Sequence, residues 1–114
     1  MKIEKLSNFS KIYHQYDVFL IDLWGVMHNG VRLNPGAIKT VENLSNNNKK
    51  IIFLSNAPRP AKHVVGFLKK LKMKEKFLKN VLTSGEAAMN SLKKKQIWNQ
   101  ILSLRPRKRR FTIF

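Results

Sequence analysis

VFLI, residues 18–21, is a continuous apolar run of strand length that ends directly at Asp22. An uninterrupted run of this kind is typical of a parallel strand that is buried on both of its faces. Two further runs of strand length occur at residues 51–54 (IIFL) and 81–83 (VLT), and polar residues follow each of them. We therefore expect three strands of one parallel sheet.

Helical patterns follow each of these strands. Asn34 and Pro35 predict a helix start, because asparagine caps helices well and proline suits the first turn. A loop at residues 58–60 precedes a second helical face, and Ser84 is the expected N-cap of a third helix with Glu86 in its first turn. Strand and helix in alternation predict an α/β fold, a partial doubly wound parallel sheet of about three βα units. The apolar helix positions expected to be buried are Ile38, Val41, Leu44, Val64, Leu68, Leu71, Ala88, Met89 and Leu92. A short amphipathic helix is expected before the first strand.

The chain of 114 residues has a formal net charge of +17, from 23 basic and 6 acidic residues. Such a charge suits nucleic-acid binding, but most of the basic residues are lysines, and an AT-rich genome produces that bias without selection for a partner. Residues 93–114 contain eight Lys or Arg and no acidic residue. We therefore expect a core domain at residues 1–92 and a separate basic tail at residues 93–114.

Composition also restricts location and chemistry. The sequence has no cysteine, so thiolate catalysis and cysteine-based metal sites are excluded. It contains no apolar run near the roughly 18 residues that cross a bilayer, and no signal-peptide pattern at its start. We expect a cytoplasmic protein without a membrane partner.

Three groups of polar residues come directly after the predicted strands. They are Asp22, Ser55 and the pair Thr83-Ser84. In an open α/β sheet the ligand site lies beyond the carboxyl ends of the strands. A carboxylate, a hydroxyl and a helix N-terminus at that edge suit an anion with a metal ion, and phosphate is the obvious anion.

At this point the sequence resembles a known family. Residues 19–26 (FLIDLWGV) look like the first motif of the haloacid dehalogenase (HAD) superfamily. Residues 34–37 (NPGA), 51–56 (IIFLSN) and 82–87 (LTSGEA) resemble later segments of that family in the same order. The last of them is typical of class IIA, the subclass with a C2 cap, which includes nitrophenyl phosphatase-like and nucleotide monophosphatase-like enzymes. The resemblance covers residues 17 to about 92.

The resemblance implies a role for each matching residue. Asp22 would attack the phosphorus of a small phosphorylated substrate, form an aspartyl-phosphate and also bind Mg²⁺. Ser55 would hold a phosphoryl oxygen through its hydroxyl, with the backbone N–H of Asn56 nearby. The alternatives are an aspartate that merely ends a strand and a serine that merely begins a turn.

Trp24 departs from the family pattern, which usually has a second aspartate at this position to protonate the leaving group. Tryptophan cannot do so, and losing such a group costs about 10²- to 10⁴-fold in rate. The metal is less affected, because the resemblance implies a ligand role only for the backbone carbonyl of Trp24. His28 is a candidate replacement acid or base, although a packing role is more common for such a residue. Arg59 is a candidate contact for a substrate anion, or else simply exposed.

The later family motifs, a lysine and an acidic motif that binds Mg²⁺, do not follow in this sequence. Apart from Asp22, the only acid in a matching segment is Glu86. We therefore expect an N-terminal fragment that is inactive alone and that a complementary C-terminal chain would complete. We also expect that its basic run at residues 105–110 arose by frameshift or truncation. The competing hypotheses are a small basic nucleic-acid-binding protein and a noncatalytic phosphate-binding regulator.

Overall fold

The computed structural model describes residues 7–94, and the predicted basic tail from residue 95 onward lies outside that range. Strands and helices alternate as the sequence predicted. The elements are two 3-10 turns at Phe9–Lys11 and Tyr13–Gln15, β1 (Val18–Asp22), α1 (Pro35–Asn46), β2 (Lys50–Ser55), α2 (Ala61–Lys70), α3 (Glu75–Leu78), β3 (Val81–Thr83) and α4 (Ser84–Lys93). No helix among the described residues is long and apolar enough to span a bilayer.

The three strands form one parallel sheet in the order β1-β2-β3. Asp22 at the end of β1 pairs with Leu54, and Ser55 at the end of β2 pairs with Thr83. The carboxyl ends of all three strands therefore meet at one edge. The α/β class and the partial doubly wound sheet are confirmed.

The core lies between one face of the sheet and the helices. Helix α1 packs on β2, and α2 packs on β3. Phe53 at the centre of the sheet is fully buried, as are Val41 of α1 and Leu68 of α2. Other buried apolar residues complete this core, namely Phe19, Leu23, Met27, Leu44, Ile51, Met73, Phe77, Leu78 and Val81.

The opposite face of the sheet is apolar and largely exposed. Leu20 of β1 is 64% exposed and Leu82 of β3 is 52% exposed. The expectation of strands buried on both faces was therefore wrong for this part of the molecule. The physical reason is that α1 and α2 both cover the other face, while no element within residues 7–94 covers this one.

One predicted helix cap is confirmed and one is corrected. The side chain of Asn34 caps α1 by accepting hydrogen bonds from the N–H groups of Gly36 and Ala37. The cap of α4 is Thr83, whose hydroxyl accepts from Glu86 N–H, and Ser84 is the first helical residue. Ser84 was predicted as the cap, but the helix begins one residue earlier, directly after β3, so the last strand residue is the cap.

Two further expectations need correction. Helix α4 has no buried residue, and its predicted buried side is exposed because the helix contacts the rest of the molecule mainly through β3. Before β1 the chain forms two 3-10 turns instead of one amphipathic α-helix. The ring of Phe9 nevertheless packs edge-on against Phe19, so this segment contacts the first strand as an amphipathic helix would.

Candidate active site

Asp22 is the last residue of β1, and its side chain is exposed at the carboxyl edge of the sheet. One carboxylate oxygen, Oδ1, accepts a hydrogen bond of 2.8 Å from the N–H of Leu23. Leu23 itself is buried in the core, so the backbone beside Asp22 is held firmly. The carboxylate keeps capacity to accept or ligate at its other oxygen.

Ser55 and Asn56 lie at the end of the neighbouring strand, directly after Leu54, which is the register partner of Asp22. Ser55 Oγ accepts a hydrogen bond of 3.2 Å from the N–H of Ala57. Because the hydroxyl is used here as an acceptor, its proton stays available for a second oxygen. The structure thus brings Asp22, Ser55 and Asn56 to one edge.

The start of α4 holds the loop after β2 in place. Thr83 Oγ1 donates to the carbonyl of Arg59 at 2.6 Å, and Ser84 Oγ donates to the carbonyl of Ala57 at 3.2 Å. The N–H of Gly85 donates to the same Ala57 carbonyl at 3.1 Å. These groups were expected to bind an anion directly, and the structure shows instead that they bind the loop.

Gly85 is required by this contact, although its role was not predicted from the sequence. A Cβ atom at residue 85 would lie 2.3 Å from the backbone nitrogen of Arg59. Only glycine allows the loop after β2 to approach the helix so closely. The signal was the glycine itself, placed in the first turn of a helix where it is otherwise unfavourable.

Trp24 lies in the irregular segment between β1 and α1 and is 65% exposed. Its indole rests against Gly30, where a Cβ atom would come within 2.7 Å of the ring. Gly30 also has a φ of +89°, which favours glycine. The ring of His28 meets the indole edge-on with centroids 5.4 Å apart. An exposed tryptophan is therefore held in a defined position two residues after Asp22.

A pocket of about 350 Å³ opens beside these groups. Trp24, His28 and Phe67 of α2 line it, and the ring of His28 packs against both of the others. Ser55 and Asn56, at the carboxyl end of β2, also line it. Further lining residues are Leu23, Ala57, Arg59, His63 and Val64. Arg59, predicted as a contact for a substrate anion, thus lies at this pocket.

The sequence also matches a known protein family. A family model described as haloacid dehalogenase-like hydrolase matches residues 19–109. The chain belongs to this family. The match crosses the boundary predicted between residues 92 and 93, and that division stays a prediction.

Two solved structures are similar to this HAD-like chain. A hydrolase of the haloacid dehalogenase-like family from Brucella suis 1330 is 30% identical with a TM-score of 0.68, over 73% of this chain and 32% of that one. A hypothetical protein from Pyrococcus horikoshii OT3 is 24% identical with a TM-score of 0.57, over 69% of this chain and 30% of that one, and shows the fold alone. The HAD-like chain thus matches about a third of each neighbour's length. No curated protein matches the sequence.

His28 of this HAD-like chain is buried, with 5% of its surface exposed. Its Nδ1 accepts a hydrogen bond of 3.1 Å from the N–H of Gly30, and its ring packs edge-on against Phe67. Burial lowers the pKa of His28, and the nearby Asp22 carboxylate offsets this only in part. The neutral ring is therefore favoured near neutral pH, and the imidazolium that would protonate a leaving group is rare. The packing role is the one that the contacts support.

Members of the HAD family generally use Mg²⁺, and the described residues fit part of a ligand set for it. Asp22 supplies one carboxylate, and the Trp24 carbonyl oxygen accepts none of the loop and turn backbone hydrogen bonds within residues 7–94. Mg²⁺ is usually held by one or two carboxylates together with water and substrate phosphate. Within the same range there is no cluster of three or more His, Asp or Glu. The remaining ligands would have to come from elsewhere.

Proposed function

We propose that this chain is the N-terminal part of the catalytic core of a Mg²⁺-dependent, C2-capped phosphohydrolase that uses Asp22 as its nucleophile. The observation that carries the proposal is the placement of Asp22 and Ser55 at the carboxyl ends of neighbouring parallel strands, beside a pocket. Membership of the HAD-like hydrolase family supports the same reaction class.

The reaction begins at the carboxylate of Asp22. One of its oxygens attacks the substrate phosphorus, the bond to the leaving oxygen breaks, and an aspartyl-phosphate forms that water later hydrolyses. The Ser55 hydroxyl donates to a phosphoryl oxygen, since its hydrogen bond with Ala57 leaves its proton free. The Asn56 N–H adds a second donor. A bound Mg²⁺ would offset the negative charge between carboxylate and phosphate.

A further polypeptide segment completes the site in this proposal. Within residues 7–94 one edge of β1 is unpaired and one apolar face of the sheet is exposed, which supports this, because such surfaces are costly in an isolated domain. The Brucella suis hydrolase, of which the chain matches 32%, supports it independently. The segment, in a longer protein or in a second chain, would bring the lysine and the additional carboxylates. We expect the chain alone to show no phosphatase activity.

The test is a titration of the ¹⁵N-labelled chain with beryllofluoride and Mg²⁺, which together mimic an aspartyl-phosphate. We expect amide shifts at Leu23, Ser55 and Asn56, and their loss in Asp22→Asn. Asp17→Asn is the matched control, because Asp17 lies just before the opposite end of β1 with its side chain 98% exposed. Equal shifts in Asp22→Asn, or no shifts in the unmodified chain, would contradict the proposal.

A noncatalytic phosphate-binding regulator predicts a different pattern. Such a protein would bind inorganic phosphate near Ser55 and would be indifferent to Asp22→Asn. The same titration with inorganic phosphate, run on both variants, separates the two functions.

A further inference from the structure

The starting observation is an exposed aromatic side chain that the fold nevertheless holds rigidly. Trp24 has 65% of its surface exposed, yet Gly30 supports one part of the indole and His28 packs edge-on against it. Fixing a large exposed aromatic ring costs side-chain entropy and leaves apolar surface in water. A ligand that covers the ring would remove this apolar surface from water, which favours binding.

The pocket beside Trp24 has the dimensions and lining of a small-molecule site. Its volume of about 350 Å³ holds a single aromatic ring with room for a phosphoryl group. Phe67 faces the pocket from α2 and is in turn packed against His28. Trp24, His28 and Phe67 thus form one connected aromatic wall. Ser55 and Arg59 are the polar groups that would orient an anion there.

The identity of residue 24 also restricts the leaving group. Indole carries an N–H that donates hydrogen bonds but does not transfer a proton near neutral pH. His28 is buried against Phe67 and its Nδ1 already accepts the N–H of Gly30, so it is not placed to replace the missing acid. A phenol, with a pKa of about 10, leaves as phenolate without prior protonation far more readily than an aliphatic alcohol, which is a much weaker acid. The pocket lining and the missing acid therefore favour the same kind of substrate.

We propose that Trp24 is a specificity-determining residue that selects phosphomonoesters with an aromatic leaving group. The inference rests on the proposed function, because it assumes that the phosphoryl group sits at Asp22 and Ser55. In the reaction the bond between phosphorus and the aryl oxygen breaks. Its electron pair stays on the phenolate, which afterwards takes a proton from water.

Binding to the whole chain tests this inference without requiring turnover. The ¹⁵N-labelled chain is titrated with phenyl phosphate, with cyclohexyl phosphate as a nonaromatic match of similar size, and with inorganic phosphate. We expect phenyl phosphate to bind about threefold to tenfold more tightly than cyclohexyl phosphate, the range of one aromatic contact. Trp24→Leu should remove this preference and Trp24→Phe should retain most of it.

A control in the same segment is Val26→Ala, because Val26 is exposed and does not line the pocket. It should leave the preference unchanged. If all three phosphates bind and phenyl phosphate shows no advantage, the role of Trp24 is wrong while the phosphate site stands. If none of them shifts the amides of Ser55 and Asn56, the proposed function fails together with this inference.

Discussion

At the scale of single residues, Gly30 is the position where the segment after β1 tolerates no side chain. Gly30→Ala would place a Cβ atom 2.7 Å from the Trp24 ring at a φ of +89°. We expect a loss of about 2 kcal/mol in the free energy of unfolding, together with a displaced indole. Urea unfolding, followed by Trp24 fluorescence in a Trp98→Phe background, measures both effects.

Gly66→Ala is the matched control for that change. Nothing lies within 4 Å of a Cβ at residue 66, and α2 gains a better helix former. The control should be stabilised by roughly 0.5–1 kcal/mol. Equal effects of the two substitutions would refute the assigned role of Gly30.

His28 is the residue whose titration links stability to pH. Its folded-state pKa lies below the ordinary value of 6.5, chiefly because of burial. As the pH falls through 6.5, the unfolded chain therefore binds a proton that the folded chain does not, and the free energy of unfolding decreases. The decrease ends once the folded His28 is protonated as well. Urea midpoints measured across this window should fall toward acid pH.

Two substitutions check that assignment. His28→Asn keeps an oxygen that can accept from the Gly30 N–H but does not titrate, so the slope below pH 6.5 should become shallower. His14→Asn changes an exposed histidine and should leave the slope as it is. An unchanged slope in His28→Asn would assign the pH effect to other groups.

At the scale of elements, Thr83 joins the end of β3, the start of α4 and the loop after β2. Its hydroxyl donates to Arg59 and accepts from Glu86, and only 3% of the residue is exposed. Thr83→Val keeps the shape but leaves both partners unsatisfied. We expect a loss of about 1–3 kcal/mol and broadened amide signals at Asn56 and Ala57.

Thr83→Ser retains the hydroxyl and is the control for the hydrogen bonds. It should cost clearly less than Thr83→Val and leave the loop signals sharp. If the amide signals of Asn56 and Ala57 stayed sharp in Thr83→Val, the loop would be positioned without the Thr83 hydroxyl.

At the scale of the whole molecule, substitutions on the two faces of the sheet should differ strongly in their effect on the free energy of unfolding. Leu20 is 64% exposed, so Leu20→Thr should change the free energy of unfolding by no more than about 0.5 kcal/mol and reduce self-association. Phe53 is fully buried on the other face, and Phe53→Ala should cost roughly 3–5 kcal/mol. Urea unfolding and concentration-dependent light scattering measure these effects.

If a further segment covers the exposed apolar face of the sheet, Leu20 lies in the contact with that segment. Leu20→Thr should weaken association with a completing segment even though it spares the isolated chain. A strong loss of stability in the isolated chain would mean that Leu20 already packs against something within it.

The sequence by itself determined the local elements and the edge at which the site lies. Apolar runs of strand length, a cap at Asn34 and the polar residues after each strand are local signals, and a parallel sheet brings the carboxyl ends of its strands to one edge. The positions of Asp22 and Ser55 at that edge therefore follow from the order of residues along the chain.

Only the tertiary structure decided which surfaces are covered and which groups are already occupied. Burial of a strand face depends on helices distant in sequence, so VFLI reads as buried on both sides although Leu20 is exposed. Thr83 and Ser84 looked free for an anion because their partners, Arg59 and Ala57, lie more than twenty residues earlier. The contact between Trp24 and Gly30 likewise depends on the path of the backbone after β1, which no periodic pattern in the sequence predicts.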